Sequence, residues 1–100
     1  AFSTSDITLK KNISPIKKAL KKVKSLSGNT FEWNEKSRNK GKDVGVIAQE
    51  VEKLDLPGVT TTRQDGTKAV RYEKLVPLLI EAIKELKDEI NEMKANASVS

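Results

Sequence analysis

The sequence predicts an α+β fold, mainly helical, in which short strands and a hairpin accompany one long C-terminal helix. Three observations predict it. From Val76 to Met93 apolar residues recur at 3,4,3,4,3 spacing, a helical period. A second stripe, Ile16, Ala19, Leu20, Val23 and Leu26, follows 3.6-residue spacing. Gln64-Asp65-Gly66 lies between two β-rich flanks, VTTTR and TKAVRY, a hairpin signal.

One hundred residues make one small domain or a piece of something larger. Apolar residues are 36% and charged residues 33%, so the core is thin. A chain of this length buries only about 60–65% of its unfolded surface, which makes an oligomer a live expectation. The sequence has no cysteine and no histidine. Disulfides, thiolate metal sites, cysteine nucleophiles and histidine-based triads are therefore excluded. No cofactor and no metal is expected. The balance of 19 Lys+Arg against 14 Asp+Glu gives a net charge of +5, which permits an acidic partner without requiring one. No apolar run approaches the length needed to span a membrane, and no signal peptide is evident. A start at Ala1 without methionine suggests excision from a longer polypeptide.

Residues 1–12 are polar, with Ile7 and Leu9 alternating with Asp6, Thr8 and Lys10, which suits a short strand or an ordered arm. Residues 14–26 read as a helix with Ser14 as N-cap, Pro15 at the first helical position and Gly28 as the stop. Lys17, Lys18, Lys21, Lys22 and Lys24 fill its other faces. Residues 29–34 read as a strand with Phe31 and Trp33 on one face. Residues 35–43 form a polar loop around Gly41, and 44–47 a short buried strand leading into a helix at 48–54. At least two of the four aromatics are expected in the core.

The last element is a helix over residues 73–97. Val76, Leu79, Ile83, Leu86, Ile90 and Met93 occupy three heptads of a/d positions, a coiled-coil seam. Pro77 falls near its start, where a missing N–H does least harm. Ile80 and Ala82 widen the apolar face, and spacing leaves dimer and trimer both open. The tail, 95–100, is expected to fray.

Few catalytic devices remain without His and Cys. One is a serine paired with a desolvated lysine, and Ser5 and Lys10 provide such a pair five residues apart. By composition alone a serine near a lysine in a polar arm is ordinarily just solvated. Glu50 and Glu52 read as the wet side of a short helix. The lysine face could meet phosphates, but exposed aromatics do not interleave with it. Nucleic acid is not an expected partner.

Four segments in order carry a family resemblance. They are Ser5-Asp6…Leu9-Lys10…Asn12-Ile13, then Phe31…Trp33, then Gly45-Val46-Ile47-Ala48-Gln49-Glu50-Val51-Glu52, then Tyr72…Leu75-Val76-Pro77-Leu78-Leu79…Ala82-Ile83…Leu86. Together they resemble the C-terminal intramolecular chaperone of phage tailspikes and tail fibres, the endosialidase-chaperone or S74 peptidase family. The module is also similar to the self-cleaving domain of myelin regulatory factor-type proteins.

The resemblance implies a homotrimer that registers three chains of a fibre or spike precursor and then cuts itself off as a single-turnover serine endopeptidase. The precursor would be made in the host cytoplasm, and the domain lost from the mature virion component. By matching position Ser5 is the nucleophile and Lys10 the general base. Residues 1–4 would end the upstream segment, and 5–100 would be the chaperone and autoprotease, with 73–97 as its oligomerising helix and Val76 to Met93 as the trimer seam. The alternative is a trimeric cap that stays attached to its fibre. One residue departs from the family, which often has a basic side chain where Thr8 stands.

Attack by Ser5 on the Thr4 carbonyl passes through a five-membered ring, whereas attack on its own carbonyl would need a four-membered one. Thr4–Ser5 is therefore the expected scissile bond. A trans mechanism would allow Ser5–Asp6. Lys10 must be neutral to act as base, a state that burial or nearby cations favour. In a continuous strand Ser5 and Lys10 would lie about 16 Å apart on opposite faces. Either the segment between them bends or a neighbouring subunit contributes.

Overall fold

Apolar side chains from both ends of the chain converge on one small core. It is built from Ala19, Val51, Val59, Leu75, Leu78 and Ala82, with Ile16, Leu20, Val23, Leu26, Val46, Leu54, Leu56 and Val70 packed around them. The computed structural model describes residues 1–99. In order the elements are a 3-10 turn (Ile7–Leu9), α1 (Ala19–Lys24), β1 (Asn29–Glu32), β2 (Lys42–Gly45), α2 (Ala48–Glu52), β3 (Thr60–Thr62), β4 (Lys68–Val70), a second 3-10 turn (Tyr72–Leu75) and α3 (Val76–Val99). This is an α+β chain with two antiparallel hairpins and a long C-terminal helix.

The whole stripe predicted around residues 14–26 reaches the core, but the helix is shorter than expected. It begins at Ala19, after Lys18 in the left-handed region at φ 54°, and Ser14 lies outside it. The physical reason is a cap supplied from elsewhere. The Glu85 carboxylate on α3 accepts the N–H groups of Ala19 at 2.7 Å and Leu20 at 3.2 Å. Those are donors that a helix start leaves without partners.

β1 and β2 pair with Asn29 opposite Gly45 and Glu32 opposite Lys42. Phe31 and Trp33 meet edge to face, with ring centroids 4.9 Å apart. The segment expected as a buried strand at 44–47 is instead the exposed second strand of a two-stranded ribbon, with Val44 70% exposed. No further layer covers that face, and only Val46 turns into the core. Among the described residues the buried core contains no aromatic side chain. Phe31 and Trp33 are half-buried, and Phe2 and Tyr72 are exposed.

The Gln64-Asp65-Gly66 hairpin forms as expected. Thr60 faces Val70 and Thr62 faces Lys68, and Gly66 takes the positive φ of 88° that the turn requires. Asp65 Oδ1 accepts Thr67 N–H at 2.9 Å and the Thr67 hydroxyl at 2.6 Å. The Glu52–Lys68 ion pair, at 2.8 Å, ties this hairpin to α2.

Leu75, at the end of the second 3-10 turn, and Leu78 and Ala82 of α3 face α1 and the core, and Glu85 extends that stripe. The helix runs on through 95–99, where fraying was expected, and Ser100 lies outside the described residues. None of the described helices is long and apolar enough to cross a membrane.

Candidate functional site

The N-terminal arm is not a strand. Asp6 is extended, and the chain then bends through the 3-10 turn at Ile7–Leu9, closed by Leu9 N–H to the Asp6 carbonyl and Lys10 N–H to the Ile7 carbonyl, both 3.1 Å. Asp6 is its N-cap. One carboxylate oxygen, Oδ1, accepts the Thr8 N–H at 2.8 Å and the Thr8 hydroxyl at 2.7 Å. Those bonds, the backbone one first, hold the Asp6 carboxyl below the usual carboxylate range.

The bend brings Ser5 and Lys10 together within one chain. Lys10 Nζ lies 2.7 Å from Ser5 Oγ and donates to it. With Nζ neutral, the same separation lets the hydroxyl donate instead, which is the geometry a general base needs. Of the two alternatives, a bend or a neighbouring subunit, the bend is present within the single chain. Burial of Lys10, the other expectation, is not met in the single chain. Ser5 and Lys10 are exposed, as are Ile7 at 72% and Leu9 at 73%. The arm's turn packs against no other element.

Thr4, on the amino side of Ser5, is exposed and outside regular structure, so the Thr4–Ser5 bond is open to solvent. The seam stands apart from the arm. Val76, Leu79, Ile83, Leu86, Ile90 and Met93 are all exposed, Ile83 by 66% and Met93 by 69%, and Ile80 joins them. A neighbouring stripe of α3, offset by one residue or about 100° around the helix, is the one spent on the chain's own core.

Several residues have roles that periodicity did not reveal. The Tyr72 hydroxyl accepts Val46 N–H at 3.0 Å, which ties the start of the long helix to the Gly45-Val46 segment. A Cβ at Gly45 would run into that hydroxyl. Glu50, expected to be solvated, is half-buried and accepts Ser27 N–H at 3.0 Å and the Ser27 hydroxyl at 2.8 Å. It anchors α2 to the chain entering β1. The Asp6–Thr8 cap did have a visible signal. Asp-x-Thr occurs again at Asp65-Gly66-Thr67, with the same two bonds.

Comparison with known proteins identifies a family whose match holds the first three of the segments that carry the resemblance. Residues 5–61, more than half of the chain, match the peptidase S74 family described as chaperone of endosialidase, and the match opens on Ser5. The long tail fiber protein Gp37 of Enterobacteria phage K3 is 32% identical over 94% of this chain and 8% of its own length. Its counterpart from Enterobacteria phage T2 is also 32% identical, over 94% of this chain and 7% of its own length. The chain thus spans less than a tenth of these relatives. On that match, and on the Ser5-to-Val51 motifs that it contains, the chain belongs to the chaperone of endosialidase family.

Proposed function

We propose that this chain is the C-terminal intramolecular chaperone of a phage tail-fibre or tailspike precursor. It gathers three copies, sets their upstream chains in register and then releases itself by cleavage at Thr4–Ser5. The observation that carries the reading is the 2.7 Å approach of Lys10 Nζ to Ser5 Oγ, at the residue where the family match begins.

The exposed α3 seam supports the assembly step. Six large side chains on one helix stripe, set against a core that uses the other stripe, leave an apolar face available to further copies. Burying them contributes about 1.5–3 kcal/mol each before entropy costs. A clamp formed first makes later pairing of the upstream chains intramolecular, which removes much of the loop-closure cost of an interwoven β-structure. The upstream stalk is the folding client, and the hairpins and arm are candidates for contact with it.

In the cutting step neutral Lys10 takes the Ser5 hydroxyl proton as Oγ attacks the Thr4 carbonyl carbon. The C–N bond to Ser5 breaks, and the proton passes from Lys10 to the departing Ser5 nitrogen. This leaves an ester between Thr4 and the Ser5 side chain. Water hydrolyses it to a Thr4 carboxylate and a free Ser5 hydroxyl. The exposed arm of the single chain fits a site completed by assembly. Cover from neighbouring copies or from the folded stalk would desolvate Lys10 and favour its neutral form.

The test is a precursor carrying the upstream stalk, compared with its Ser5→Ala and Lys10→Ala variants. The wild type should release a fragment whose mass places the cut at Thr4–Ser5, and both variants should stay full-length while keeping the trimer. A wild type that assembles as a trimer but never shifts in mass identifies a permanent cap instead.

A further inference from the structure

We infer that Asp6 and Thr8 are positioning residues for the Ser5–Lys10 pair, their side-chain hydrogen bonds holding the turn that brings the pair together inside one chain. The inference rests on the proposed cleavage reading and deepens it.

The argument starts from what does not hold the turn. Ile7 and Leu9 point into solvent, and no other element packs against this segment. A three-residue 3-10 turn has no cooperative length and few internal bonds of its own. Its two backbone bonds, both 3.1 Å, fix three residues, a poor return for the backbone entropy lost. What remains is Asp6 Oδ1, which gathers the Thr8 N–H at 2.8 Å and the Thr8 hydroxyl at 2.7 Å. A carboxylate acceptor makes both bonds charge-assisted and stronger than a neutral pair.

The second Asp-x-Thr of the chain shows the same device making a turn. At Asp65-Gly66-Thr67 the equivalent bonds close the β3–β4 hairpin. There the strands also hold the turn, whereas at Asp6 the side-chain bonds are joined only by the turn's own two backbone bonds. Opening this turn lets residues 5–10 extend, and an extended segment separates Ser5 from Lys10 by about 16 Å.

Two measurements test this. In the stalk-bearing precursor, Thr8→Val keeps the shape and the backbone N–H but loses the hydroxyl, and it should slow self-cleavage about three- to tenfold. Thr8→Ser restores the hydroxyl and should stay within about twofold of wild type. Asp6→Ala removes both bonds and should slow cleavage by more than about tenfold. Denaturant unfolding of the 100-residue chain at a concentration where it is a single copy should not change, because the turn packs against no other element within the chain. Equal rates in Thr8→Val and wild type, or equal slowing by Thr8→Val and Thr8→Ser, would overturn the inference.

The second measurement needs no cleavage. In the 100-residue chain, magnetisation transfer between the Ser5 and Lys10 side chains should be seen in wild type and Thr8→Ser and be lost in Asp6→Ala. Its survival in Asp6→Ala sinks the positioning role, even if the chain proves to be a permanent cap. Failure of the wild-type precursor to cut, with this contact intact and sensitive to Asp6, sinks only the cleavage reading.

Discussion

The Glu85 carboxylate caps a helix that begins 66 residues earlier, accepting Ala19 N–H at 2.7 Å. The neighbouring N–H of Leu20 reaches its other oxygen at 3.2 Å. One side chain therefore sets where α1 starts and fastens it to α3. Glu85→Ala should lower the stability of the domain by about 1–3 kcal/mol, as two partly buried donors lose an ionised acceptor. Ser14→Ala should change it by less than about 0.5 kcal/mol, since Ser14 is exposed and outside the helix. Denaturant unfolding at fixed protein concentration separates the two, and the reverse ranking would mean that α1 starts at Ser14.

Gly45 is held to its size by Tyr72. A Gly45→Ala side chain meets the Tyr72 hydroxyl and should cost about 1–3 kcal/mol. Tyr72→Phe removes the obstructing oxygen along with the acceptor for Val46 N–H, at about 1 kcal/mol. The double variant should be more stable than the sum of the two single costs implies, a coupling expected between contacting residues. Strict additivity would place the Gly45 constraint elsewhere.

The α3 seam is expected to be the assembly surface. Ile83→Asp or Ile90→Asp places a charge in a buried layer of the assembled helices and should leave a folded single copy by sedimentation, because neither side chain belongs to the chain's own core. An unchanged assembly state would show that copies meet through another face.

Charge along α3 bears on how copies align. Glu89 and Lys94 fall at g and e positions beside the seam, where charges set partner orientation. In parallel copies they come opposite each other. Glu89→Lys alone should weaken assembly, and adding Lys94→Glu should restore it, with each pair contributing about 0.2–1 kcal/mol. The effect should shrink in high salt. Equal assembly by the single and double variants at low salt would exclude this pairing.

Acid should loosen the hairpin turn. The Thr67 hydroxyl, and after it the Thr67 N–H, hold Asp65 below its ordinary value of 3.8. Because the folded form is the stronger acid, the turn's stabilisation is fully present above that ordinary value. It is lost as pH falls through the lowered one. Amide exchange at Thr67 should therefore accelerate, relative to an unfolded reference, only below pH 3.8. Asp65→Ala should remove this acid-dependent change.

The hairpin was legible because its information is local. Gln64-Asp65-Gly66 contains both the side-chain acceptor and the residue that tolerates a positive φ. The apolar stripes were legible because burial imposes a period whichever residue starts the helix, so Ile16, Ala19, Leu20, Val23 and Leu26 all reach the core although α1 is short. The strand at 44–47 was misjudged because apolar residues alone do not say whether a second layer will cover them. Glu50 was misjudged because its partner, Ser27, lies on another segment.

By itself the sequence determined the α+β class, the two apolar stripes, the hairpin and a serine and lysine close enough in the chain to meet. Each follows from spacing or from side-chain chemistry within a few residues. Tertiary structure decided where α1 begins, how β1 and β2 pair, why Gly45 must be small and which stripe of α3 remains uncovered. Those outcomes depend on side chains brought together from tens of residues apart, such as Glu85 with Ala19 and Tyr72 with Val46. The Ser5–Lys10 contact lies between the two cases. Its residues are local, but the bend that joins them is a choice of backbone conformation, made by a carboxylate and a hydroxyl two residues apart.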